Sequence, residues 1–361
     1  MRQLRKDIQI LWAENLIFRG AASFLCLLLL LALLLPWLPL AYTPNQLDLA
    51  HLYQAPFSKP FSVQSHYLGT DGLGRDVLAN VLHGIRTAFF ISVPVMVLAT
   101  LLGLALGMVA GFFGDTGLSL RRRGMLVLVF GMASMSYYGV YLPLQLAVAD
   151  QGAGKIAASM GMGIALPMLL SAVLAILSKR VQFLRESVAI PLDQLVLRLT
   201  ETMSTIPRFV LILVLASFTP PSVPLLSLII VLTLWTNTAR LARAELMRIK
   251  QLPYFEAARS IGLNSWQLMW RQAAPNLLGP VLVAFTFGLG SLLALESTLS
   301  FFNIGVPSDL VSWGRTIASI RANTGAWWLV AFPGALLTLT ILALYTCSHY
   351  LNKIISKKNA A

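Results

Sequence analysis

Tyr254–Asn276 reads YFEAARSIGLNSWQLMWRQAAPN. It is a polar, helix-prone segment with Gly262 near its middle, set between long apolar runs. Pro253, just before it, suits the first turn of a helix, where its missing N–H would be unpaired anyway. Glu256 falls in that first turn, where the helix dipole favours negative charge. Gly262 suits a helix stop, which needs a left-handed residue that other side chains resist. A second short helix is expected over Ser265–Arg271, ending before Pro275. The spacing predicts a helix–turn–helix outside the membrane. Small Ala257 and Ala258 would let a partner surface approach, and Glu256 and Arg259 would make polar contacts.

The surroundings explain why such a piece stands out. Of 361 residues, 57% are hydrophobic and 11% charged, against about 25% charged in a soluble domain. Seven charge-free windows are Gly20–Leu47, Ala88–Gly114, Gly124–Ala149, Ile156–Ser178, Phe209–Ala239, Ala273–Leu295 and Ala322–Asn352. About 20 apolar residues suffice to cross a bilayer core. Pro220, Pro221 and Pro224 break the fifth window into two shorter spans, which gives eight crossings. The fold expected is an all-α, polytopic transmembrane helix bundle.

The net charge of +13 does not point to nucleic acid, because the basic residues sit at the ends of the apolar windows. With the N-terminus (Arg2, Arg5, Lys6, Arg19) placed in the cytoplasm, the inner segments hold 21 Lys and Arg and the outer ones 6. That asymmetry follows the positive-inside rule and puts both termini inside. The apolar run around Leu27–Leu35 is too long for a signal peptide and is read as a retained anchor. Cys26 and Cys347 show no metal or disulfide spacing and read as small buried hydrophobes.

The expected organisation is a cytoplasmic N-terminus (1–19), a first span (20–40) and an extracytoplasmic segment (41–87). A transmembrane region (88–350) and a cytoplasmic tail (351–361) follow. In the outer segment, HYLGTDGLGRDVLANVLHGIR (66–86) places Val77, Leu78, Val81, Leu82 and Ile85 at helical spacing. That pattern suits an amphipathic helix lying in the interface, with Thr70 or Asp71 capping its start. Asp71 and Arg75 are spaced for an i,i+4 ion pair. Together with Asp76, they otherwise suit contact with a binding protein or a partner subunit.

Chemistry-bearing constellations are not found. His51, His66, His83 and His349 are scattered, and none shows metal-ligand spacing, so no metal site is expected. Gly152–Ile156 (GAGKI) lacks the first glycine and the final Ser/Thr of a phosphate loop, and Gly72-Leu73-Gly74 is too short for a dinucleotide fingerprint. An enzyme embedded in the membrane would need a polar cluster, and a secondary carrier would need ionisable groups at membrane depth. Glu296 and His349 come nearest to that description, both close to a span's end, and Glu296 reads as a pore or gate residue or as a side chain bonding outer-loop backbone. Trp313 reads as an interfacial anchor or a substrate contact. Arg315 and Arg321 are candidate docking charges.

The motif Glu256-Ala257-Ala258-x-x-x-Gly262, with Pro275 following, resembles the EAA loop of ABC importer permeases. HYLGTDGLGRDVL (66–78), with Gly69, Thr70, Asp71, Gly74, Arg75 and Asp76, resembles the outer signature of the second permease subunit in dipeptide, oligopeptide and nickel importers. LESTLSFFNIGVPSDLVSWG (295–314), ending in Trp313 and Gly314, resembles the segment before that family's last span. Two departures stand out. Gln272 and Ala274 replace the usual Ile and Leu before the loop's proline, and about residues 125–178 add two spans to the family's six. An even number of added crossings keeps the loop, here 241–276, on the cytoplasmic side. The extra pair is either a lipid-facing hairpin or a contact with another subunit.

The resemblance implies a type I importer permease in a bacterial inner membrane, itself non-catalytic. It implies a homologous second permease, two cytosolic ATPases carrying ATP and Mg, an extracytoplasmic substrate-binding protein and surrounding lipid. This chain would bind no cofactor. The solute implied is a di- or oligopeptide, or alternatively nickel or another small solute.

Overall fold

The computed structural model describes residues 11–13, 15–58, 65–149, 152–218, 220–307 and 309–360. Arg2, Arg5 and Lys6 of the expected inner segment lie outside the described residues. In chain order the elements begin with α1 (Leu16–Leu34), α2 (Val77–Phe113) and β1 (Ser119–Arg121). Then come α3 (Arg122–Ser134), a π-helical stretch (Met135–Tyr141), α4 (Leu142–Val148), α5 (Ala153–Leu177) and β2 (Ser187–Ala189). They continue with α6 (Leu192–Thr205), α7 (Arg208–Ser217), α8 (Val223–Lys250) and α9 (Pro253–Ser260). The last are α10 (Ala274–Phe301), α11 (Trp313–Ala318) and α12 (Trp328–Ala360). The protein is an all-α, multi-pass membrane bundle. Among the described residues, 7 helices are long and apolar enough to cross a membrane, and α6 with α7, bent by 80°, makes up to 8.

Two compact units form, one of residues 1–111 with 196–361 and one of 112–195. The larger unit buries Leu28, Ala32, Met96, Ile212, Ile230, Leu292, Leu299 and Leu344 in one core drawn from α1, α2, α7, α8, α10 and α12. The expected interfacial helix is not a separate element. Residues 77–87 are the first turns of α2, which runs unbroken for 37 residues. Its apolar stripe has a protein partner instead of a lipid one: Val77 and Val81 pack on Trp328 and Leu329. The fifth window does divide near its prolines, with Pro224 in the first turn of α8, where proline is tolerated. The division is unequal, because α7 has only 10 residues and α8 has 28.

In the smaller unit, β1 and β2 pair antiparallel with Ser119 opposite Ala189. This ribbon was not anticipated, since three-residue strands carry too little pattern to register. Arg122 braces it, 2.9 Å from the Glu186 carboxylate and 3.8 Å above the Phe183 ring. Beyond the ribbon, α3 and α5 pack with Gly131 against Pro167 and Gly163 against Gly139. Their outer faces expose Leu126, Val129, Phe130, Met132, Met168, Leu169 and Ile176, which suits hydrocarbon as a solvent and not water.

Close backbone packing in the larger unit joins α2 to α8. A Cβ on Gly103 would lie 2.4 Å from the Trp235 carbonyl oxygen, and one on Gly107 would lie 2.3 Å from that of Ala239. Small residues one turn apart let two backbones touch, the usual way helices associate in lipid. Gly103→Leu is expected to lower the thermal midpoint of the purified chain, overpacking costing about 1–3 kcal/mol. Gly20→Leu, where a Cβ meets nothing within 4 Å, should leave the midpoint in place; differential scanning fluorimetry in detergent compares the two.

Candidate functional site

The polar segment continues directly from α8. Arg248 and Lys250 fill the last turn of α8, where cations offset the helix dipole. Leu252 is extended, and Pro253 opens α9. Only one face of α9 is covered: Phe255 and Ala258 are buried, while Glu256, Ala257 and Arg259 are exposed. Ala258 is thus packed within the chain, and of the pair Ala257 is the exposed one. Gly262 stops α9 with φ +86°. Its N–H donates to Arg259 O and the Leu263 N–H donates to Ala258 O, the bond pair that closes a helix through a left-handed residue.

The second short helix does not end before Pro275. Asn264 and Gln267 form a reciprocal capping box over Ser265–Gln267, and a π-helical stretch Leu268–Ala273 carries the chain straight into α10. The wider turn solves the proline problem. With Ala274 N–H bonding Met269 O five residues back, the ring of Pro275 is accommodated without a break. Tyr254 and Asn276 then fasten the two arms, the Asn276 Nδ2 donating to the Tyr254 hydroxyl at 2.9 Å. The exposed rim carries side chains that the motif does not include: Ile261 is 79% exposed, Trp266 65% and Trp270 50%. The two indoles meet edge to face at 5.4 Å. Their i,i+4 spacing was the available signal.

At the other end of the bundle, the 66–78 signature folds as a set of turns, not a helix. Thr70 is fully buried; its hydroxyl donates to His51 O and accepts the Gln54 N–H, and Trp328 Nε1 donates to its carbonyl at 3.0 Å. Asp71 Oδ1 accepts the N–H groups of Leu73 and Arg75 at 2.8 and 2.9 Å. The i,i+4 ion pair with Arg75 does not form, because α2 begins only at Val77 and no helical turn brings the two side chains together. Arg75 instead reaches Asn45 Oδ1. The cap of α2 is Asp76, neither Thr70 nor Asp71: its Oδ2 accepts the Ala79 N–H at 2.7 Å. Gly69 and Gly74 both take positive φ. A Cβ on Gly74 would overlap Asp48 O at 1.7 Å.

Two of the four histidines come together in space. His51 and His66 meet at Asp48, whose Oδ2 lies 2.8 Å from His51 Nδ1 and 3.4 Å from His66 Nε2. His66 also bonds Asp76 at 2.9 Å. The hydrogen bond with His51 holds the Asp48 carboxyl below its usual range. Sequence spacing hid this group, since turns at Gly69 and Gly74 are needed to assemble it.

Trp313 is buried, not an interfacial anchor: it fills the space above Gly84 and donates to Val81 O at 3.0 Å. Gly314 lets α11 touch α10, since a Cβ there would lie 1.9 Å from Ser297 O. Glu296 is 3% exposed and accepts from the Ser300 and Ser297 hydroxyls. It bonds side chains of its own helix, not outer-loop backbone. Ser300 in turn borders a cavity of about 530 Å³ lined with Asn303, Asp309 and Arg315. Arg315 donates to Leu310 O, and burial, then repulsion from Arg75, holds its guanidinium below the usual range. Arg321 is exposed and stacks 4.1 Å over Phe301.

Residues 187–360, which carry the α8–α10 lever, α11 and α12, match the family model for the binding-protein-dependent transport system inner membrane component. Over that stretch the chain is similar to this family. A putative peptide transport system permease protein of Brucella suis is 26% identical over 349 residues, covering 95% of this chain and 90% of the relative. A putative peptide permease protein of Brucella ovis is 24% identical, with 85% and 76% covered. The probable D,D-dipeptide transport system permease protein of Escherichia coli is 24% identical over 321 residues, with 89% and 80% covered.

Two glycines of this chain separate backbone conformation from space. Gly262→Ala meets nothing within 4 Å, so its cost is the left-handed penalty alone, about 1 kcal/mol. Gly314→Ala drives a methyl group into the Ser297 carbonyl and is expected to lower the thermal midpoint several degrees further. Unfolding of the two variants side by side measures the difference.

Proposed function

We propose that this permease is one of two membrane subunits of an ATP-driven importer of di- or oligopeptides, and that α9 is the element on which a cytosolic ATPase acts. The observation that carries the reading is the exposed face of α9. Glu256, Ala257 and Arg259 stand outward beside Ile261, Trp266 and Trp270, an apolar rim of a kind that marks docking surfaces. The lever is suited to passing on force. It is covalently continuous with α8 through two residues and with α10 through the capping box and the π turn, and the Tyr254–Asn276 bond resists splaying.

In this reading the α8–α10 end and both termini face the cytoplasm of a bacterial cell, and the 41–76 turns face a substrate-binding protein outside. ATP and Mg act on the two partner ATPases. This chain breaks no bond; with a homologous second permease it forms the pathway wall. The peptide assignment rests on the names carried by the relatives.

The test is uptake of radiolabelled dipeptide into vesicles containing the assembled transporter. Glu256→Lys and Gly262→Asp should abolish uptake while the chain stays in the membrane at normal levels. Normal uptake by both variants overturns the coupling role. Accumulation of nickel but not of dipeptide by the unaltered complex overturns the solute.

A further inference from the structure

We propose that Asp48, His51 and His66 form a site for a divalent metal ion of zinc-like chemistry in the turns that precede α2. The carboxylate and the two imidazoles present their ligand atoms within 4.8 Å of one another. Bonds of about 2.0–2.2 Å to a tetrahedral ion hold ligand atoms roughly 3.4 Å apart, and Asp48 Oδ2 already stands 2.8 Å from His51 Nδ1 and 3.4 Å from His66 Nε2. Small side-chain movements therefore suffice. Two nitrogens and one carboxylate oxygen are a donor set that zinc accepts, and three protein ligands leave the fourth position to water.

A second observation concerns His66 alone. Its other nitrogen, Nδ1, lies 2.9 Å from Asp76 Oδ1, and Asp76 is itself fixed by the Ala79 N–H of the α2 cap. A carboxylate behind a metal-ligating histidine sets the tautomer and aims the free nitrogen at the ion. With Nδ1–H donated to Asp76, Nε2 presents its lone pair toward Asp48 and can ligate a cation there.

The ring is held in place as well as aimed. It is buried and stacks on Tyr42 with centroids 4.2 Å apart. The backbones that bear the ligands are equally fixed, His51 O by the Thr70 hydroxyl and Asp48 O by the close approach of Gly74. His51 is partly exposed, 34% for the side chain, so an ion can enter. Once bound, it ties the Asp48–His51 turn to the loop at His66 and, through Asp76, to the first turn of α2.

The full-length chain, stripped with chelator and placed in lipid nanodiscs, is titrated with zinc chloride against a chromophoric competitor. One zinc ion per chain is expected. His51→Gln and Asp48→Asn should each weaken it at least ten-fold, and Asp76→Asn about 10–100-fold, while His349→Gln changes nothing. Cobalt should give the intense visible absorption of a low-coordinate site in the unaltered chain, a readout independent of how any variant folds. Binding that is equal in His51→Gln, Asp48→Asn and the unaltered chain overturns the proposal. So does an unaltered chain that takes up no zinc, in which case the cluster is a hydrogen-bonded histidine–aspartate network only.

Discussion

Contact between the backbones of α2 and α8 is the constraint on which the rest depends. In hydrocarbon no hydrophobic force draws helices together, so close van der Waals fit has to do it. Gly103, Gly107 and Gly111 remove the side chains from one stripe of α2, and Trp235, Ala239 and Arg243 supply the backbone that fills it. Lys250 extends the seam at its end by donating to Gly111 O at 3.3 Å. The seam fixes α8, and α8 carries α9 two residues beyond its own end. The position of the exposed lever is thus set by atoms deep in the bundle.

The two ends of the larger unit use similar means to stay rigid outside the apolar core. Each takes a positive-φ glycine to reverse the chain: Gly262 below, Gly69 and Gly74 above. Each satisfies stranded backbone donors with short polar side chains, Asn264 at one end and Asp71 and Asp76 at the other. Such caps are worth about 1 kcal/mol apiece, and here they also decide where the side chains between them point. The lever exposes Glu256 and Arg259 because Phe255 and Ala258 are anchored. The upper turns bring His66 to Asp48 because Thr70 and Gly74 grip the Asp48–His51 turn beside them.

Much of this was legible in the residues, and what was not has physical causes. Charge-free windows found the seven long helices, since lipid leaves no other choice of composition, but α6, which carries Asp193, Arg198 and Glu201, lies outside all of them. Pro253 and Gly262 located α9 to the residue because both act locally, one through a missing donor and the other through a missing Cβ. Pro275 misled, because a proline forbids the ordinary i−4 bond but not the wider π turn that took its place. Trp313 misled for a related reason: belts of tryptophan at the interface are a statistical habit, whereas this indole has Val81 O and Gly84 waiting across 232 positions of sequence. The stripe on 77–85 was real, but a period identifies a buried face without naming what covers it. The histidine–aspartate group depends on long-range turns, and no spacing rule encodes those.

The bend between α6 and α7 has a consequence for sidedness. At 1.5 Å per residue α7 reaches about 15 Å, half of the roughly 30 Å hydrocarbon layer. Alone it cannot traverse; with α6 across the 80° elbow it forms either a broken span or a re-entrant loop. Seven traversals would leave the two ends of the polypeptide on opposite faces of the bilayer, and eight return them to the same one. Odd or even turns on that elbow, and with it the face of the bilayer on which the tryptophan-rimmed lever lies.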